Sequence, residues 1–135
     1  MRRQQLRGTL APVSLRCLIV DDNEAFLAAA TTMLEREGVT VVGTSSSSAD
    51  AVRSVDALRP DVVLVDVSLG EENGFDLAQT LDDAHHVGGA GIVLISTRSR
   101  NELAELIDRS PARGFIAKAD LSGDAIRTLL EQDPG

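Results

Sequence analysis

Apolar residues along this chain follow two rhythms that take turns. Five short runs are dense in branched aliphatics: LRCLIV at 15–20, VTVVG at 39–43, DVVLVD at 61–66, GIVLIS at 91–96 and RGFIAK at 113–118. Such runs read as strands buried on both faces. Each is followed by a stretch in which apolar residues recur every three or four positions, the spacing of a helix with one buried face. After the first run, Asn23 is placed to cap a helix, Phe26, Ala30, Met33 and Leu34 share a face, and Gly38 stops it. The second helix, SADAVRSVDAL, sets Ala51, Val55 and Leu58 together and ends at Pro60. A third, over 74–82, pairs Leu77 with Leu81, and a fourth offers Leu103, Leu106 and Ile107 before the Ser110-Pro111 break. The fifth follows a Ser122 cap with Ile126, Leu129 and Leu130. The serine run 45–48 reads as a loop.

Strands and helices in strict alternation, with strands apolar throughout, predict a parallel sheet covered on both sides. Right-handed crossovers reduce the options to an α/β, doubly wound, flavodoxin-like sheet of five strands in the order 2-1-3-4-5 with five helices. Ligands of such sheets bind beyond the carboxyl ends of the strands, beside the switch between strands 1 and 3.

Composition narrows the setting. The 135 residues fit one domain with an ordinary core, and with 43% apolar content, no Trp or Tyr and three Phe, that core is aliphatic. No apolar run reaches the roughly 18 residues of a membrane span, and no leader pattern is present, so a cytoplasmic location is expected. Cys17 stands alone, which excludes an internal disulfide and a cysteine-rich metal site. The net charge of −8 is uneven: residues 1–16 carry four arginines and no acid, and the rest of the chain is strongly acidic. An acidic body argues against direct binding of nucleic acid. Residues 1–14 are expected to form a flexible basic extension ahead of a domain at 15–133.

The carboxyl ends of the expected strands carry the candidate chemistry. Strand 1 ends in Asp21 and Asp22, strand 3 in Asp66, strand 4 in Ser96 and strand 5 in Lys118. With strands 1 and 3 adjacent, three carboxylates share one cleft, and their repulsion calls for a cation. An all-oxygen set without His or Cys suits Mg²⁺, which also accepts a phosphate oxygen. The chain uses Arg twelve times and Lys once, and its one Lys stands at this cleft as a compact charge for a phosphoryl oxygen. Ser96 has a hydroxyl to donate to the same group.

These residues, in this order on five β/α units, resemble the CheY-like receiver domain of two-component response regulators. The motifs LIVDDNEAF, VDVSLGEENGFDLA and GFIAKADLSGDAI carry the resemblance across residues 15–133. It implies that Asp66 accepts a phosphoryl group from a partner histidine kinase or phosphotransfer protein. It further implies that Asp21, Asp22, Asp66 and the backbone carbonyl of Ser68 hold Mg²⁺. Ser96 and Lys118 would bind the phosphoryl oxygens, Phe115 would change rotamer on activation, and a downstream protein of unknown identity would read the change. A stand-alone receiver is expected, without a DNA-binding output domain and not a conventional enzyme.

Three positions depart from the family pattern. Ala119 follows Lys118 where receivers have a cis proline, and a cis bond before any other residue costs about 2.5–4 kcal/mol. Thr97 replaces a small residue after the switch hydroxyl. Gly70 replaces a common proline and is expected to loosen the loop after Asp66. Two other readings compete: an adaptor that works without phosphorylation, and a phosphohydrolase passing through an aspartyl-phosphate. The hydrolase wants a second acid two residues beyond the nucleophile, where this chain has Ser68. The segment HHVGGAG at 85–91 lacks the Gly-Lys-Ser/Thr ending of a phosphate loop and reads as a solvated connection.

Overall fold

The computed structural model describes residues 15–85 and 91–131. The basic extension and most of the HHVGGAG segment lie outside the described residues. In chain order the elements are β1 (Leu15–Val20), α1 (Glu24–Arg36), β2 (Val39–Ser45), α2 (Ser48–Leu58), β3 (Val62–Asp66), β4 (Ser68–Leu69), β5 (Glu72–Asn73), α3 (Gly74–His85), β6 (Gly91–Ser96), α4 (Arg100–Arg109), β7 (Gly114–Ala117) and α5 (Gly123–Glu131). A single 3₁₀ turn, Lys118–Asp120, joins the last two. The main sheet runs β2-β1-β3-β6-β7 with every pairing parallel. Numbered among the long strands alone, that is the expected 2-1-3-4-5.

Side-chain alternation along the strands divides the core in two. Leu18, Val20, Val63, Val65 and Leu94 point to the side covered by α2, α3 and α4, where Val55, Leu77, Leu81, Leu103 and Ile107 meet them. Cys17, Ile19, Leu64, Val93 and Ile95 point to the other side, under Leu27, Ala30 and Leu34 of α1 and Ile126 of α5. β3 is buried at all five positions because neighbours flank it and helices cover both its faces. Its carboxyl end is therefore held by the best-packed part of the molecule.

Several local expectations are corrected. Ser45 is not a loop residue: it ends β2, is buried, and its carbonyl accepts the Asp21 amide at 3.0 Å. The parallel ladder continues two residues past Gly43, and Ser47 rather than the whole run supplies the cap, its Oγ accepting from Asp50. Leu106 is 46% exposed, since Leu103 and Ile107 already fill the contact line of α4. Leu27, missing from the expected α1 face, is buried, whereas Phe26 and Met33 are half-buried. Lys118 lies one residue past β7, at the start of the 3₁₀ turn. No cis peptide bond occurs among the described residues, so Lys118–Ala119 is trans.

Gly70 departs from expectation most informatively. The segment after Asp66 folds into a two-stranded hairpin, Ser68 opposite Asn73 and Leu69 opposite Glu72. Gly70 opens its two-residue turn at φ 62°, and Glu71 does not share the positive φ. That is the φ pattern of a II′ turn, which proline cannot adopt. The glycine tightens this loop rather than loosening it.

Burial pushes the Cys17 thiol up to about 12, so almost no thiolate exists at neutral pH. Alkylation of Cys17 by iodoacetamide at pH 8 should be negligible in the folded protein and complete within minutes in denaturant. Fast labelling under native conditions, followed by mass spectrometry, would contradict the packing of β1.

Candidate functional site

Two adjacent strands bring the acids together. β1 pairs with β3 through Val20 opposite Val65, so Asp21 and Asp66 follow side by side at the sheet mouth. Carboxylate oxygens of Asp21, Asp22 and Asp66 lie within 4.8 Å of one another. Asp21 is fully buried, Asp66 is 5% exposed, and Asp22 faces solvent. Local bonds fix the first two: the Asn23 amide donates to Asp21 Oδ1 at 2.8 Å, and the Ser68 amide donates to Asp66 Oδ1 at 3.3 Å.

Lys118 reaches between them. Its Nζ lies 2.6 Å from Asp21 Oδ2 and 3.3 Å from Asp66 Oδ2. The Asp66 contact is a directed hydrogen bond, whereas the shorter approach to Asp21 is off-axis and leaves Asp21 Oδ2 buried without a directed donor. Three carboxylates and one ammonium leave two negative charges uncompensated when all are ionised. A divalent cation matches that deficit, and the clustered carboxylate oxygens are hard ligand atoms of the kind it takes. The donor set therefore fits a hard dication.

Charge and burial both act on Asp66. The Asp66 carboxyl is held above its usual range, first by burial and then by the neighbouring Asp21, with the Ser68 amide and Lys118 opposing. Lys118 is held above its ordinary value as well: burial works against its charge, and the two carboxylates together outweigh it.

The remaining expected residues surround this centre. Ser96 ends β6, one position beyond Ile95, which pairs with Asp66. It is buried, and its Oγ accepts the Arg98 amide at 2.9 Å, which leaves the hydroxyl hydrogen to donate. Thr97, beside it, is exposed. Phe115 on β7 is half-buried against the core on the α2–α4 side. Ser68 is exposed at the start of the hairpin, directly after the acceptor strand.

Two side-chain contributions went unread in the sequence, and Gly74, which marks the motif after Asp66 there, gains its physical reason. A Cβ at Gly74 would overlap the Asp66 carbonyl oxygen and the Val67 Cα, so only glycine lets α3 start against the acceptor strand. The Glu72 carboxylate accepts the Ser48 amide at 2.8 Å, tying the hairpin to the first turn of α2. The Phe26 ring sits with its centroid 4.3 Å from Lys118 Nζ. Only Gly74 has a sequence signal, its place eight residues after Asp66; the others need the fold.

A family model, the response regulator receiver domain, matches residues 17–131. The chain belongs to the receiver domain family of response regulators. Among curated relatives it is 24% identical over 115 residues to the DNA-binding transcriptional activator EvgA of Escherichia coli, covering 85% of this chain and 55% of EvgA. The receiver thus spans about half the length of that relative. Among solved structures it resembles the signal receiver domain of a modulated diguanylate cyclase from Desulfovibrio desulfuricans G20, with TM-score 0.72 and 28% identity over 88% of this chain and 92% of that one. It also resembles the receiver domain of the response regulator NarL from Mycobacterium tuberculosis, with TM-score 0.76 and 21% identity over 90% of this chain and all of that one. Receivers are phosphoacceptor signalling domains of two-component systems, and this one has an acid cluster compatible with Mg²⁺. No described helix is long and apolar enough to cross a membrane.

The raised Asp66 sets a pH-dependent prediction. The folded state holds the Asp66 proton more tightly than the unfolded chain does. Its contribution to stability is therefore full below about pH 3.8 and is lost as pH rises through the folded value. At pH 7 the ionised Asp66 carboxylate is a burden on the metal-free fold. Asp66→Asn should raise the metal-free Tm by about 3 °C at pH 7, the effect of a relief on the order of 1 kcal/mol in a domain of this size. The gain should vanish near pH 4. Asp22→Ala should also raise the metal-free Tm and reduce the shift on adding Mg²⁺. Calorimetry across pH checks both, and an equal gain at pH 4 and 7 would remove Asp66 ionisation as the cause.

Proposed function

We propose that residues 15–133 act as a phosphorylation switch in which Asp66 takes a phosphoryl group from a phosphohistidine of a partner kinase or phosphotransfer protein. The observation that carries this reading is Lys118 bridging Asp21 and Asp66 at the mouth of a buried parallel sheet. An Asp66 oxygen forms the new O–P bond as the donor's P–N bond breaks, and the electron pair leaves with the imidazole. Such in-line transfer relies on positioning and charge neutralisation more than on a separate base. The buried β3 supplies the first. Lys118 supplies part of the second and meets the transferred oxygens, with Ser96 donating its hydroxyl.

Asp21, Asp22, Asp66 and the Ser68 carbonyl would hold Mg²⁺, which when bound neutralises charge building on the transferred oxygens. Phe115 would then follow Ser96 as the phosphoryl group draws that hydroxyl toward β3, changing the surface near β7 for a downstream protein. A cytoplasmic location, within reach of a kinase's phosphohistidine, belongs to this reading. A phosphohydrolase reading gains no support, since an exposed serine occupies the position its second acid would take.

Incubation with a small acyl phosphate should add one phosphoryl group to the wild type in the presence of Mg²⁺, far less in EDTA, and none to Asp66→Ala. Intact mass measures each. An Asp66→Ala variant modified as readily as the wild type would remove the acceptor assignment, and a wild type that stays unmodified would favour an adaptor independent of phosphorylation. Lys118→Arg separates acceptance from switching, because Arg presents a fork where Lys presents a point charge. The variant should still accept phosphate yet lose the amide shift changes over residues 96–118 that a phosphoryl mimic induces in the wild type. Full wild-type changes would reduce Lys118 to a charge balancer.

A further inference from the structure

Four short contacts at the site close on themselves. Asp21 Oδ1 accepts the Asn23 amide at 2.8 Å, and Asn23 Oδ1 accepts the Phe26 amide at 3.0 Å as the cap of α1. The Phe26 ring centroid lies 4.3 Å from Lys118 Nζ, and that ammonium lies 2.6 Å from Asp21 Oδ2. The two oxygens of one buried carboxylate thus anchor both ends of a circuit through the first turn of α1.

We propose that Phe26 is a positioning residue for Lys118, its ring face holding the ammonium in place for the phosphoryl group on Asp66. The inference rests on the phosphoacceptor reading and adds to it a residue from α1. A lysine side chain has four rotatable bonds, and ordering it at a cleft needs contacts on several sides. A third carboxylate could provide one, but it would add negative charge where three acids already crowd. An aliphatic side chain would add no charge and no attraction for the ammonium either. An aromatic face attracts the cation through its quadrupole and brings no net charge. The attraction also tolerates small displacements across the face, unlike a directed hydrogen bond. Lys118 can therefore exchange its 3.3 Å contact with Asp66 Oδ2 for a phosphoryl oxygen while keeping both Asp21 and the ring.

Backbone constraint does little of this work. Lys118 opens a 3₁₀ turn that has no side-chain cap, and Ala119 after it is exposed. The ammonium is oriented by side-chain contacts, and beside the two carboxylates the ring is an uncharged one.

The test compares wild type, Phe26→Leu and Phe26→Tyr. Leu keeps apolar bulk against α1 and removes the ring; Tyr keeps the ring. In metal-free protein the Lys118 ε-methylene protons should show an upfield ring-current displacement, retained in Phe26→Tyr and lost in Phe26→Leu. With Mg²⁺ present, the affinity for beryllofluoride as phosphoryl mimic should fall about five-fold in Phe26→Leu, the worth of a partly desolvated cation–π contact, and stay within about two-fold of wild type in Phe26→Tyr. Unchanged Lys118 proton shifts in Phe26→Leu would overturn the proposal. So would a Phe26→Tyr variant as weak as Phe26→Leu, because then packing and not the ring face would matter. A wild type that binds no beryllofluoride would instead sink the phosphoacceptor reading itself, whereas wild-type binding with equal affinity in Phe26→Leu would sink only the role of the ring.

Discussion

A fully buried carboxylate, Asp21, stands beside a second, Asp66, that is nearly so, and two acids crowded in so dry a place call for a cation between them. Lys118 is that cation, 2.6 Å from one and 3.3 Å from the other. The charge balance it leaves is incomplete, and the incompleteness is what suits the site to chemistry. A fully neutralised pair would be a structural ion pair, stable and idle. Here the acids outnumber the ammonium, and Asp22 adds a third carboxylate from the solvent side. Such a centre gains from any ligand that adds positive charge, and with that charge present it can receive an anion.

The rest of the molecule keeps these groups from relaxing apart. β3 cannot move its carboxyl end, because all its side chains are packed and it has hydrogen-bonded neighbours on both edges. α3 begins so close to the acceptor strand that no residue larger than glycine fits at position 74. The hairpin between them is pinned at its far side by the Glu72 carboxylate on the Ser48 amide. Stability is given up at the mouth and recovered in the two aliphatic cores, a division expected where function needs a strained local charge pattern.

What could be read from the sequence divides along physical lines. The alternation of rhythms specified the sheet because a parallel β/α fold repeats one local rule five times, and the strand-end rule then brought Asp21, Asp22, Asp66, Ser96 and Lys118 to one edge. Contacts between residues distant in the chain with no shared rhythm stayed hidden: Phe26 against Lys118, Glu72 against Ser48. Phe26 looked like an ordinary member of the α1 apolar stripe, and half of it is. Ser45 and Gly70 were misread for a different cause. A serine run signals a loop by composition, and a glycine in place of a common proline signals a looser one, but pairing with β1 extended one strand and a positive φ closed the other segment into a hairpin.

The same geometry bears on how a change at Asp66 could travel. Asp66 Oδ1 is bonded to the Ser68 amide, and Ser68 begins the hairpin whose other strand carries Glu72 to α2. The turn glycine of that hairpin lies close to Asp22: a Cβ there would come within 3.3 Å of Asp22 Oδ2. A cation that draws Asp22 inward therefore acts on the same small hairpin that senses the acceptor. Ser96 and Lys118 lie on β6 and just past β7, the strand that carries Phe115 opposite Leu94. The site thus has two mechanical outlets from one carboxylate, one through backbone to α2 and one through side chains to β7. A signal shifts an equilibrium only through contacts that differ between states. On the phosphoacceptor reading proposed above, the side-chain outlet has such a contact to exchange, because a phosphoryl group on Asp66 would take the place of the Lys118 bond to Asp66 Oδ2.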